Sequence, residues 1–206
     1  SPAERFVLIR ESRDLYLRTG ALKAALAAVD SMAAAFAIDA GAAKETLLGD
    51  ALKAARTPAE ARGVADGALV LLAEAAGADE LEVAKKLLPL IDAAAGRAQD
   101  SGIAAGVPEL RADLAERSKS AKDYREARWL LSINENDPVA SLRAGRYLSF
   151  LKGDWAEGLA HLARGSDPIL LKLAGEDRTA PRSAAAQEAL GTAWMQAARK
   201  FSGRAG

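Results

Sequence analysis

Apolar residues recur along this chain at three- and four-residue steps, with charged residues filling the opposite side. Phe6, Ile9, Arg13 and Leu17 set the first stripe, and Leu22, Leu26, Val29, Met32 and Phe36 the second. That period is helical, and no run alternates apolar and polar residues long enough to make a strand. Breaks between the stripes carry helix-start chemistry. Thr57-Pro58-Ala59-Glu60 offers a hydroxyl cap, a Pro at the first helical position and a Glu that can reach back to the cap amide. Asp137-Pro138 and Asp167-Pro168 repeat the cap-and-proline pairing. Helices are therefore predicted over 2–18, 21–37, 42–56, 58–76, 80–99, 108–120, 124–133, 138–152, 154–164, 168–173 and 182–200. A loop is predicted over Gly175 to Pro181. The weakest stretch, from Asp100-Ser101-Gly102 to Val107-Pro108, is where a single domain spanning 1–206 would break into two lobes.

A second regularity lies above the helical one. A turn, an apolar anchor and a small residue three places on occur four times. The anchors are Leu22, Leu81, Tyr124 and Trp155, and the small residues Ala25, Ala84, Ala127 and Gly158. Val29, Leu88, Leu131 and Leu162 follow seven places after each anchor. A small residue one turn after an anchor lets two helices cross closely, which marks the second helix of a helical hairpin. Alanine makes up about a quarter of the chain and aromatics only 5%. That bias favours helix and thin interfaces between neighbouring helices over one large core.

The hairpin from Pro138 to Gly165, with Gly153, Asp154, Trp155 and Gly158 at its turn and Pro168 after it, resembles a tetratricopeptide repeat. Gly145 sits one place from that family's usual small residue, and the four anchors do not keep its repeat of about 34 residues. The resemblance is to degenerate repeats, and it implies an all-α, right-handed α-α solenoid of about nine or ten helices. Three longer segments (Pro2–Leu15, Gly145–Trp155 and Ala189–Trp194) resemble a helical module of large exported bacterial proteins, commonest in planctomycete-type bacteria. That resemblance implies a non-catalytic connector or docking domain, exported to periplasm or cell surface, beside a lectin-like or other carbohydrate-associated domain. A cytoplasmic location remains open.

Charge and rare residues narrow the functional classes. Twenty-eight basic residues balance twenty-eight acidic ones, which leaves no electrostatic footprint for a nucleic-acid backbone. Arg178, Arg182, Arg199, Lys200 and Arg204 make the C-terminal end locally basic, but they are spread out. The longest apolar run, Ala68 to Ala76, is far short of the ~20 residues of a membrane span and contains Glu74. With no cysteine and one histidine, His161, no usual zinc set can form. His161 lies four residues after Glu157 and reads as a helix histidine paired along one face. Glu109, Asp113 and Glu116 share a helix face, but Arg111, Arg117 and Lys119 interleave with them as on a solvated helix. Asn134-Glu135-Asn136-Asp137 lacks the spacing of a calcium loop and reads as a stop and a cap.

No residue set points to catalysis, a metal or a cofactor. The expectation is a non-catalytic protein-interaction or scaffold module of a larger protein. The rivals are a purely architectural spacer and an enzyme with an unrecognised site. The aromatic residues read as pins of the helix stack, standing as they do at anchor positions. In such solenoids the first helix of a pair lines the concave face, so Arg143, Arg146 and Tyr147 are the candidate contact patch for a protein or peptide partner.

Overall fold

The structure, a computed structural model, describes residues 1–202, with side chains through Ala197. The side chains of Arg199 and Lys200, and all of Arg204, lie outside the described residues. Among those residues the chain is all-helical, with no strand. The ten helices are α1 (Pro2–Arg18), α2 (Leu22–Ala35), α3 (Ala40–Ala54), α4 (Pro58–Gly77), α5 (Leu81–Ala98), α6 (Ser101–Ile133), α7 (Pro138–Arg146), α8 (Trp155–Leu162), α9 (Pro168–Arg178) and α10 (Ala184–Ser202). A π-helical turn, Tyr147–Leu151, extends α7. Helices pack on their neighbours in sequence, as in an α-solenoid. The chain divides into two compact units, Ser1–Glu116 and Arg117–Gly206.

The expected helix starts form as read. Thr57 Oγ1 accepts from Glu60 N while the Glu60 carboxylate accepts from the amides of Arg56 and Thr57. These backbone bonds hold the Glu60 carboxyl below its usual range. Asp137 and Asp167 each cap with one carboxylate oxygen.

In the first unit α4 packs along α5, and α3 lies against both. Its core is Leu and Ala with few other types, including Leu48, Ala68, Leu87, Ile91, Ala94 and Leu114, all nearly or fully buried. Burial of that area is the main stabilising term, each large side chain contributing about 1.5–3 kcal/mol. Arg97 near the end of α5 donates to the carbonyls of Leu52 and Ala55, satisfying acceptors left open at the end of α3.

In the second unit α7 packs on α8, α8 on α9, and α9 on α10. The crossing of α7 and α8 is close because two glycines make it so. A Cβ on Gly145 would stand 2.7 Å from Leu162 Cγ, and one on Gly158 would stand 2.8 Å from Ser149 N. The inward side of α10 carries Leu190, Ala193, Trp194 and Ala197, as its period predicts.

The repeated motif is borne out at three copies and corrected at the fourth. Gly20, Asp79 and Gly153 turn with φ of +77°, +61° and +69°, each just ahead of a second hairpin helix. The small residues Ala25, Ala84, Ala127 and Gly158 are all buried. Tyr124, however, stands inside α6, which runs through Lys122 and Asp123 without a turn. Residues 101–107, expected as the weakest stretch, are helical as well. Asp100 Oδ1 caps that end by accepting from Ile103 N, and Val107 is buried in the first unit's core. Helix α9 also outruns its expected end, through Gly175 to Arg178, because Leu173 and Ala174 are both buried one turn earlier.

Candidate functional site

Arg143 and Arg146 are exposed on α7, but Tyr147 is only 7% exposed. Its ring stacks on Tyr124 with centroids 4.4 Å apart and planes 13° from parallel. The sequence-chosen patch thus keeps its two arginines at the surface and loses its ring to packing. The cause is the π-helical turn, whose wider winding buries Tyr147, Leu148 and Ser149 in succession.

Other rings behave as pins. Phe150, Trp155 and Trp194 meet edge to face with centroids 5.6 to 6.4 Å apart. Trp194 Nε1 donates to Asp177 Oδ2 at 2.9 Å, tying α10 to α9. Phe150 and Trp155 nevertheless stay exposed on their outer sides, and Trp129 on α6 is 64% exposed.

His161 has its side chain 17% exposed, with Nε2 3.9 Å from Glu157. Burial lowers its pKa, the Arg164 charge lowers it further, and Glu157 opposes both. It is a half-buried helix histidine, as the sequence suggests, and burial favours its neutral form. Glu109, Asp113 and Glu116 are exposed along α6. Asn134 Oδ1 accepts from Asn136 N, which makes the Asn-rich loop a helix stop. Among the described residues no group of three or more His, Cys, Asp or Glu is placed to hold a metal ion.

A concave surface lies in the first unit, where no site is expected from the sequence. A groove of about 950 Å³ runs between α2 and α4. Leu22, Leu26 and Ala27 of α2 line one wall, and Gly63, Gly67 and Val70 of α4 the other. It continues into a second hollow of about 740 Å³ beside Arg18, Arg56 and Glu60, sharing Gly20, Leu22 and Gly63 with the first. Val70 is 60% exposed on this face.

Small residues on α4 produce the groove. A Cβ on Gly67 would meet Leu48 at 3.2 Å and Leu26 at 3.6 Å, so that glycine admits α2 and α3 side chains. Gly63 has nothing within 4 Å of where its Cβ would stand. A helix-interior glycine costs about 1 kcal/mol relative to Ala, and no contact within the chain explains this one.

One end of the groove is clasped by Lys44 of α3. Its Nζ lies 2.7 Å from Asp30 of α2 and 3.6 Å from Glu74 of α4. Burial would lower the Lys44 pKa, but the hydrogen bond and charge of Asp30 and the charge of Glu74 outweigh it and raise the value. Glu74 stands in the last turn of α4, where the backbone dipole disfavours a carboxylate, so the ammonium offsets that repulsion while pairing Asp30 as well. Asp66 sits on the same face and pairs with Arg62 at 3.3 Å.

The signal that could have found this groove is Gly63-x-x-x-Gly67 with Val70, an open stripe in a helix whose start is otherwise the best formed in the chain. Compared with known proteins, the chain matches no family model, no curated protein and no solved structure.

Proposed function

We propose that this chain is a non-catalytic interaction module that receives a segment of a partner protein on the α2–α4 groove. The observation that carries this reading is an apolar surface held open at a cost. Gly63 forgoes a side chain that nothing would obstruct, and Val70 stays exposed beside it. Walls on packed helices need no ordering when a partner arrives, which spares binding much of its entropic cost. The resemblance to helical modules of exported bacterial proteins supports the same role, in a larger protein with a carbohydrate-associated neighbour.

Selection from a phage-displayed peptide library against the folded chain tests this. Selected peptides should lose binding to Val70→Glu and Gly63→Lys variants whose helicity and unfolding midpoints match wild type. Peptides that bind those variants as well as wild type would place recognition elsewhere and refute the groove.

A further inference from the structure

We infer that the groove's occupant is an amphipathic helix lying antiparallel to α2 and α4, basic towards its N-terminal end and acidic towards its C-terminal end. This rests on the interaction reading above and adds the partner's chemistry and direction.

The two walls run the same way. Leu22 of α2 and Gly63 of α4 line both hollows and so mark one end. Asp30 and Glu74 meet through Lys44 at the other. The helix N-termini, with their partial positive charge, therefore lie together, and so do the C-terminal ends with their partial negative charge. Side chains reinforce the polarity. Arg18, Lys23 and Arg56 stand towards the first end, with Glu60 the opposing carboxylate, already engaged by backbone amides. Asp30 and Glu74 stand towards the second, with Lys44 opposing, while Asp66 lies between the ends and pairs with Arg62. A helix laid antiparallel puts its own positive end against the carboxylates and its negative end against the arginines.

The surface also chooses helix over extended chain. Its walls are helices, whose backbone groups are engaged internally, so an extended segment would find no edge to pair with. Its own amides would then lie unpaired against an apolar floor. A helix brings its backbone bonds with it. From Ala59 to Glu74 the wall runs about 22 Å at 1.5 Å per residue, matching a helix of about fifteen residues. Gly63, with nothing within 4 Å of where its Cβ would stand, lets such a helix approach closely.

The test uses two stapled, end-blocked, fluorescein-labelled peptides of about eighteen residues with one Leu/Ala stripe and identical composition. One carries Lys near its N-terminus and Glu near its C-terminus, and the other has those charges exchanged. Fluorescence anisotropy at low salt should show the first binding about tenfold tighter, with the ratio collapsing near 1 M salt. An Arg18→Glu, Glu74→Lys double variant should prefer the second peptide. Equal binding, or the opposite preference in wild type, overturns the inferred polarity while leaving the interaction reading intact. Failure of both peptides to bind overturns the helix occupant, and library selection then judges the interaction reading separately.

Discussion

Replacing Gly158 by Ala tests whether α7 and α8 cross as closely as the hairpin motif demands. The new methyl would stand 2.8 Å from Ser149 N and 3.1 Å from Ser149 Cβ, and closer still to Ser149 Oγ. The hydroxyl can rotate away, but the backbone nitrogen moves only if the π-helical turn moves with it. Restoring ordinary contact requires the helices to part by several tenths of an ångström. That would also loosen Leu162 over Gly145, the other tight point of the crossing. Overpacking costs about 1–3 kcal/mol, and because the obstructing atom here is backbone this contact stands in the upper part of that range, about 2–3 kcal/mol. Against it stands the gain of about 1 kcal/mol from replacing a helical glycine by alanine. The net expectation is a loss of about 1–2 kcal/mol. Trp129, Trp155 and Trp194 all lie in the second unit, so tryptophan fluorescence follows that unit's unfolding alone. With a urea slope of about 1 kcal/mol per molar for a unit this size, the midpoint should fall by about 1–2 M. Gly63→Ala is the matched control. It gains the same helix preference without a clash, so it should stabilise the first unit by about 0.5–1 kcal/mol and leave the fluorescence midpoint alone. A Gly158→Ala midpoint equal to or above wild type would show slack at the crossing and refute the close-packing account.

Lys44→Met removes the clasp between Asp30 and Glu74 and should cost the first unit about 1–2 kcal/mol, followed by far-UV circular dichroism. Because the folded-state pKa of Lys44 is raised above 10.5, its contribution is complete below that pH and fades as pH climbs through the folded value. Wild type and variant should therefore converge only in strong alkali, and convergence near neutrality would count against the clasp. For His161 the sign is reversed, since burial lowers its pKa from 6.5. Below pH 6.5 the unfolded chain takes up a proton that the folded chain resists, so stability falls with acidification until the folded value is reached. Fluorescence-monitored urea midpoints at pH 7.5 and 5.5 should diverge less in His161→Gln than in wild type, and equal divergence would remove the burial argument.

Helix starts were legible because their chemistry is local: Thr57, Asp137 and Asp167 each cap within three residues and need no tertiary partner. Small residues at hairpin crossings were legible for a related reason, since spacing along one helix fixes the face they share. The anchor at Tyr124 misled because Lys122-Asp123 resembles the Asp79 turn in composition. What separates them is context. No Gly or Pro occurs between Pro108 and Ile133, so nothing interrupts α6. Tyr147 misled for another reason. A π-helical turn shifts which residues face inward, and a period of 3.6 cannot foresee that shift. The groove escaped notice because its walls come from α2 and α4, more than thirty residues apart. Only packing shows that Gly67 is filled by Leu48 and Leu26 while Gly63 is filled by nothing.

The two units reach stability by different means, and that difference bears on function. The first has helices of 14 to 20 residues from α2 to α5, and its core cluster contains no aromatic residue. The second relies on α7, α8 and α9, of 9, 8 and 11 residues, lengths at which an isolated helix is not stable in water. There the Tyr124–Tyr147 stack and the Phe150–Trp155–Trp194 cluster supply ring-to-ring contacts between the short helices. Apart from Trp129, these rings of the second unit pack against one another. In the first, long alanine-rich helices hold their shape with surface to spare, and Val70 and Gly63 can remain uncovered.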